Sequence, residues 1–236
     1  MKKILFSLVA LVCSMSMNAQ VMKVMKGNYV VATYKASQAD NVVFEEEPVL
    51  GKTGTAKRTD NIDVKWVQLW ENGPRFAEYN VGVTDSKAES YGGYYCWGKS
   101  NDQDVNTEYK DGTDALTGDD DTATKLWGSN WRMPTQDELQ ALCNERNCTK
   151  EWTTVNGKSG YKFTGKGDYD SNSVFLPAAG QFDGGRVVYD GDKGYYWSST
   201  PYGSLDAWFL YYDSDNANVS RSTRDSGYSV RAVLAE

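Results

Sequence analysis

Polar and aromatic side chains crowd the stretch from Tyr202 to Asp225, and their types suit molecular recognition. Tyrosine gives a large contact area at low entropic cost, while serine and asparagine give adaptable hydrogen bonds. We therefore predict ligand contacts from Tyr202, Ser204, Asp206, Tyr212, Asp213, Asp215, Asn216, Asn218, Ser220, Ser222, Thr223 and Asp225. The alternative, that these are ordinary polar residues of surface loops, stays open at this point.

Catalytic chemistry has few candidates, because the chain contains no histidine. This excludes a histidine general base, Ser–His and Cys–His nucleophile pairs, and every His-ligated zinc site. A hydrolase that uses two carboxylates needs no histidine and is a weaker alternative, but no spacing singles out a pair. We predict a protein that is not an enzyme, with no catalytic residues, no metal site and no cofactor.

The charge distribution bears on the partner. A net charge of −7 argues against nucleic acid, which requires a basic face. The acidic residues concentrate in 102–121, where Asp119, Asp120 and Asp121 are consecutive. Calcium takes many oxygen ligands, but the spacing matches no calcium-loop pattern. We interpret this stretch as a solvated acidic loop and leave calcium binding open.

The N-terminus has the pattern of a secretory signal peptide. Two lysines precede an apolar run over 4–12, and Met17-Asn18-Ala19 offers a cleavage site that ends in a small residue. We expect cleavage before Gln20 and export to the periplasm, the cell surface or the extracellular space. Val12 is too large for a typical lipid-attachment motif at Cys13, so a lipid anchor is not expected. No later segment is apolar enough for a transmembrane helix.

Three cysteines follow the predicted cleavage site, at positions 96, 143 and 148. They are too few and too scattered for a disulfide framework. One bridge is still compatible with an exported chain, and the sequence does not decide which pair would form it.

The chain divides into a leader and one large region. We predict a signal peptide over 1–19, a small β-rich segment over 20–46, a linker over 47–61 and an α+β domain over 62–236. Gly27-Asn28 marks a hairpin turn in the small segment, which is followed by a third strand at 41–44. In the domain, the patterns predict strands at 62–70, 92–98, 161–164, 173–176, 195–199, 207–212 and 228–234.

One helix has clear local signals. Thr135 and Glu138 form a capping box, and Leu139, Leu142 and Cys143 fall on one helical face. These features predict a helix over 135–143, with Cys143 as a small core residue rather than a nucleophile.

Several residues are predicted to be structural. Strand 206–213 is apolar on both faces in its middle, so we expect Trp208 to lie in the core. Arg132 and Arg231 lie inside apolar motifs, and we expect each to pair with a backbone carbonyl or a buried carboxylate. Rigid motifs also contain the tryptophans Trp97, Trp131 and Trp197.

A series of motifs in order resembles the Fibrobacter succinogenes major paralogous domain family over about 62–236. The motifs are Trp131-Arg132-Met133-Pro134-Thr135, Phe175-Leu176-Pro177-Ala178-Ala179-Gly180, Tyr196-Trp197-Ser198-Ser199-Thr200 and Ser229-Val230-Arg231-Ala232-Val233. The resemblance implies a C-type-lectin-like domain of mostly antiparallel short strands, one or two helices and long loops. It also implies a loop-rich recognition face. The segment 21–46 is similar to a β-rich leader common on exported Bacteroidetes proteins.

Two relatives of that family sharpen the functional expectation. Formylglycine-generating enzymes use a cysteine pair near their C-terminus, whereas this chain has no cysteine after Cys148. The stretch 198–233 resembles the C-terminal segment of the variable proteins of diversity-generating retroelements. The resemblance therefore implies binding of a surface protein or glycan of another cell or of the host. A structural or assembly role without a specific ligand is the alternative.

Overall fold

The computed structural model describes residues 21–26, 29–35, 52–100 and 109–235. The chain forms two compact units, Met1–Gly51 and Lys52–Glu236. In the first unit, β1 (Val21–Lys26) and β2 (Tyr29–Lys35) pair antiparallel, which confirms the two strands of the predicted hairpin. The signal peptide, the hairpin turn and the strand predicted at 41–44 lie outside the described residues.

The second unit is dominated by short strands. Its elements, in chain order, are β3 (Thr53–Lys57), β4 (Asp63–Gln68), β5 (Arg75–Ala77), α1 (Thr122–Trp127), β6 (Trp131–Arg132), α2 (Gln136–Cys143), β7 (Cys148–Val155), β8 (Lys158–Gly165), β9 (Ser173–Pro177), β10 (Gln181–Asp183), β11 (Arg186–Val188), β12 (Gly194–Tyr202), β13 (Asp206–Tyr212), β14 (Ala217–Thr223) and β15 (Val233–Leu234). Short 3-10 turns lie at Gly118–Asp120 and Gly167–Tyr169.

Antiparallel pairing organises these strands into separate sheets. One sheet has the order β3-β4-β5-β15-β6, so the last strand of the chain lies between two earlier ones. Two three-stranded sheets have the orders β7-β8-β9 and β12-β13-β14, and β10 pairs with β11. The fold class is therefore α+β with mostly antiparallel strands, as predicted.

The linker prediction over 47–61 is wrong for its second half. Thr53–Lys57 forms β3 and pairs along its length with β4. Its Gly54 lies under the Trp66 indole, because a Cβ placed there would be 2.5 Å from a ring carbon. The strand is thus held by its neighbour and by one cross-strand ring, rather than by an apolar pattern of its own.

Two further strand predictions need correction. Residues 92–98 form no strand, and only Tyr95 makes an isolated bridge, to Tyr228. The strand predicted at 228–234 is shortened to β15, because the backbone of 228–230 bonds to separate segments. The other predicted strands are confirmed within β4, β8, β9, β12 and β13.

The core consists of two apolar clusters, and β13 contributes to both. Ala207 and Phe209 belong to the first, which also contains Trp97, Trp131 and Trp197. Those three tryptophans are fully buried, which confirms that they are structural. The opposite face of β13 supplies Leu210 and Tyr212 to the second cluster, together with three residues of α2. The apolar middle of β13 is therefore covered on both sides.

Helix α2 begins as the sequence predicts. The Thr135 hydroxyl accepts a hydrogen bond from the Glu138 amide at 3.2 Å, and the Glu138 carboxylate accepts one from the Thr135 amide at 2.7 Å. Arg132 donates two hydrogen bonds to the same carboxylate, at 2.7 and 2.6 Å. The predicted capping box and the predicted partner of Arg132 are both confirmed.

Replacing the cap should weaken this helix. We expect Thr135→Ala to lower the free energy of unfolding by about 0.5–2 kcal/mol, because one amide of the first turn loses its acceptor. Thr135→Ser keeps the hydroxyl and is the matched control. Chemical denaturation of both variants measures the difference, and an unchanged Thr135→Ala midpoint would contradict the role of the cap.

Candidate functional site

The hairpin between β12 and β13 carries the most exposed aromatic and aliphatic side chains of the predicted site. Tyr202 at the end of β12 is 42% exposed, and Leu205 in the turn is 62% exposed. The turn begins at Gly203, whose φ of 65° suits a residue without a side chain. The chain therefore places two large side chains at the hairpin tip, where they contact solvent.

A buried arginine holds this hairpin tip in place. The Arg224 side chain is fully buried and lies over the Trp97 ring, 4.1 Å from its centroid. It donates hydrogen bonds to three backbone carbonyls, those of Gly203 at 2.9 Å, Asp206 at 3.1 Å and Lys110 at 2.6 Å. Both sides of the turn are thereby tied to one guanidinium, so the tip is a defined structure.

Three side chains form an aromatic and cationic surface beside the tip, which we call the platform: Tyr202, Trp208 and Arg221. The rings of Tyr202 and Trp208 meet edge to face, with centroids 5.3 Å apart. The Arg221 guanidinium lies over the Tyr202 ring, 4.2 Å from its centroid. Trp208 and Arg221 are direct cross-strand partners of β13 and β14. The platform is therefore carried by all three strands of its sheet.

Trp208 is half-buried, so the prediction that it is a core residue is wrong. It lies on the same face of β13 as Leu210 and Tyr212. Those two pack in the cluster that contains α2, whereas Trp208 belongs to neither core cluster. Its ring instead contacts Tyr202 at the open end of the sheet.

The prediction that Tyr212 lies at the surface and contacts a ligand is wrong. Its side chain is fully buried, and its hydroxyl donates to the carbonyls of Leu176 at 2.7 Å and Pro177 at 2.8 Å. The ring also stacks on Tyr196, with centroids 5.9 Å apart. Because it is enclosed in the core, Tyr212 cannot make a direct contact with a ligand.

The other predicted contact residues separate into two groups. Tyr202, Ser204, Asp206, Ser222, Thr223 and Asp225 lie at or near the hairpin tip, whereas Asp213, Asp215 and Asn216 lie at the opposite turn. Strand β13 separates the groups, and at ~3.3 Å per residue its seven residues span roughly 20 Å. Asn218 and Ser220 lie between them on β14. The structure does not bring all twelve residues into one patch.

The sequence patterns predict no strand between Tyr212 and Asp225, but Ala217–Thr223 is a regular strand paired with β13 throughout. Within it, the Ser222 hydroxyl hydrogen-bonds the hydroxyls of Ser226 and Tyr228. At the far turn, the Asp213 carboxylate accepts from the amides of Asp215 and Asn216, each at 3.1 Å. The Asp213 carboxylate is thus engaged with the backbone of its own turn, which favours the tip over the far turn as the candidate site.

Arg221 and Arg224 are not among the site residues predicted from the sequence. Nothing in the local pattern separates them, since both stand in a polar run of similar composition. Arg221 is exposed on the platform, whereas Arg224, three residues later, is fully buried beneath the tip. Arg221 pairs with Trp208 across the sheet, whereas Arg224 follows the end of β14 and packs over the Trp97 ring.

The described part of the acidic stretch is divided among structural contacts. Asp121 is buried and accepts hydrogen bonds from the amides of Met133 at 2.8 Å and Thr124 at 2.9 Å. Asp120 pairs with Lys110 at 2.6 Å, and Asp119 lies 3.4 Å from Lys125. Within the described ranges, no group of three or more cysteine, aspartate or glutamate residues is arranged to hold a metal ion.

The three cysteines that follow the predicted signal peptide, Cys96, Cys143 and Cys148, are buried, and Cys143 and Cys148 are free thiols. Burial raises the pKa of Cys143 to about 11 and that of Cys148 to about 12. Both side chains belong to the second core cluster beneath α2. At neutral pH they are therefore protonated and enclosed, which fits the prediction that Cys143 is a core residue.

These thiols should react slowly in the native protein. At pH 8 we expect iodoacetamide to label Cys143 and Cys148 at least roughly a hundredfold more slowly than in urea, because the thiolate is the reacting form. Mass spectrometry of peptides after timed labelling measures both rates. Equal rates with and without urea would contradict the burial of these thiols.

The fold and this surface define an α+β domain with mostly antiparallel strands, in which an aromatic and cationic platform lies at one end of a three-stranded sheet. A family model described as the Lcl C-terminal domain matches residues 92–234, and the chain belongs to this family. No curated protein and no solved structure matches the chain. In the described residues, no helix has the length and apolar character needed to cross a membrane.

Proposed function

We propose that this chain is an exported recognition protein that binds a surface protein or glycan of another cell or of the host. The platform of Tyr202, Trp208 and Arg221 carries this proposal. Tyrosine, tryptophan and arginine are the residue types that dominate binding energy at protein interfaces. Here the three contact one another and stand at an exposed end of a sheet.

The support under the platform favours a binding role. Arg224 fixes the hairpin tip through three carbonyls, so the loop is already ordered before a ligand arrives. A preorganised surface loses less conformational entropy on binding than a mobile one. We further propose that the domain is C-type-lectin-like and belongs with the Fibrobacter succinogenes major paralogous domain proteins. Diversification of the tip by a retroelement is an extension of that analogy.

Binding of labelled protein to a glycan array and to intact bacterial and host cells tests this function. The unmodified mature chain should bind at least one glycan or cell type, and Trp208→Ala should reduce that signal. Absence of binding on the array and on every cell type, or binding that Trp208→Ala leaves intact, would contradict the proposal. In the first case the structural or assembly role becomes the better account.

A further inference from the structure

The charge on the platform bears on the kind of partner that fits it. Arg221 is exposed, and its guanidinium carries a full positive charge and several N–H donors. Among the described residues, no carboxylate forms an ion pair with Arg221, and no acceptor takes a hydrogen bond from its side chain. The donors of Arg221 are therefore available to a partner.

Other arginines with fixed side chains use their donors inside the chain. Arg132 donates to a carboxylate, and Arg224 and Arg231 donate to backbone carbonyls. Arg221 shares a defined position with them, because its guanidinium rests on the Tyr202 ring, but it lacks their acceptors. A group that is positioned in advance loses less conformational entropy on binding. Arg221 is thus a preorganised donor whose acceptor must come from outside.

The acid on the same face of the sheet does not neutralise this cation. The register of β13 and β14 pairs Asp206 with Thr223 and Trp208 with Arg221. Asp206 is therefore a diagonal neighbour of Arg221 and not its direct partner, and the two form no ion pair. Carboxylates match the planar guanidinium with two parallel hydrogen bonds. A carboxylate on the partner is the group that complements this position.

The arrangement of the rings disfavours a sugar as that partner. A sugar approaches an aromatic residue with its C–H bonds over the negative face of the ring. Arg221 already covers one face of the Tyr202 ring. The Tyr202 and Trp208 rings stand at 84° to each other, so the edge of one covers a face of the other. The platform therefore offers no broad flat surface for stacking.

An aliphatic side chain beside the platform favours a protein partner. Leu205 is 62% exposed, the largest value among the large apolar side chains of the described residues. Its turn is fixed, because Arg224 bonds the carbonyls of Gly203 and Asp206 on either side. An apolar side chain gains stability when it leaves water for another apolar surface. Protein surfaces supply aliphatic side chains for this contact, whereas glycans present mostly hydroxyl groups.

On the basis of the recognition function proposed above, we propose that the platform binds a protein surface that presents an aspartate or glutamate to Arg221 and an aliphatic side chain to Leu205. The carboxylate would accept two hydrogen bonds from the guanidinium, which the Tyr202 ring holds in place. Opposite charges across an interface speed association and fix its register. Acidic glycans also carry carboxylates, and their binding is the competing outcome of the test.

The test uses the full mature chain and a displayed library of random peptides that are closed by a disulfide. Enriched peptides should carry an acidic residue beside an aliphatic one, and each is then synthesised for calorimetry. Arg221→Glu reverses the charge and should weaken their binding at least about tenfold. Arg186→Glu makes the same change at an exposed arginine of the separate β10–β11 pair and should change the affinity little.

A charge exchange distinguishes a direct contact from a general effect of charge. Peptides in which lysine replaces the acidic residue should lose affinity for the unmodified chain and regain it for Arg221→Glu. Peptides enriched without an acidic residue, or equal affinities for the unmodified chain and Arg221→Glu, would overturn the proposal. Recovery of affinity by Arg186→Glu with the lysine peptides would overturn it as well, since the effect would not belong to Arg221.

The same measurements separate this proposal from the recognition function. If no peptide is enriched and acidic glycans bind in a manner that Trp208→Ala abolishes, the protein partner is wrong and the recognition function holds. The same conclusion follows if enriched peptides need Trp208 but not Arg221. If neither peptides, glycans nor cells bind, both proposals fail.

Discussion

Arg231→Met is expected to lower the free energy of unfolding by about 3–5 kcal/mol, because it leaves several buried acceptors unsatisfied and each such group costs about 1–3 kcal/mol. The Arg231 side chain is almost completely buried and donates to the Asn80 side chain at 2.8 Å and to the carbonyls of Ala77, Glu78 and Phe175 at 2.9–3.0 Å. Burial lowers its pKa to about 10, so it is still charged at neutral pH. Methionine fills the space but leaves these acceptors unpaired.

The melting temperature should fall by roughly 6–20 °C, since about 2–4 °C per kcal/mol is typical for a chain of this size. Arg231→Lys should also destabilise the domain, because one ammonium group cannot reach the four acceptors in two segments as a planar guanidinium does. Arg186→Met, at an exposed arginine of β11, is the control and should melt like the unmodified chain. Calorimetry that finds Arg231→Met as stable as this control would show that the network is dispensable.

The features that could be predicted from sequence are those with local causes. The start of α2 depends on Thr135 and Glu138, which are three positions apart, so the capping box could be predicted from the sequence. Arg132 and Arg231 stand as single charges inside apolar motifs, and a buried charge requires partners. Their pairing follows from that requirement, although the identity of the acceptors depends on the fold.

The features that could not be predicted depend on contacts between distant segments. β3 is a strand because β4 pairs with it and Trp66 covers Gly54, and its own residues show no strand pattern. Tyr212 is buried because α2 and β9 lie over that face of β13. Trp208 lies on the same face of β13, but it belongs to neither core cluster and contacts Tyr202 instead. It is therefore a better candidate than Tyr212 for a residue that contacts a ligand.

Removing the platform should reduce ligand binding without unfolding the domain. We expect Trp208→Ala and Tyr202→Ala each to weaken binding at least tenfold, which corresponds to roughly 1.4 kcal/mol or more and is typical of interface anchors. Trp208 is half-buried and contributes to neither core cluster, so the melting temperature should change little. Arg221→Ala should act in the same direction, because it removes the cation over the Tyr202 ring.

Two matched variants decide whether such a loss belongs to the platform. Tyr189 is 50% exposed and has the Lys193 ammonium 4.5 Å from its ring centroid, so it reproduces the chemistry of Tyr202 at another place on the surface. Tyr189→Ala should leave binding unchanged.

Tyr212→Phe removes a buried hydroxyl that donates to two carbonyls, and should cost about 1–3 kcal/mol of stability while the folded fraction still binds. Calorimetric titration and thermal melting of the same preparations give both quantities. Equal losses of affinity in Tyr189→Ala and Tyr202→Ala would mean that exposed tyrosines contribute generally, and that the hairpin tip is not the site.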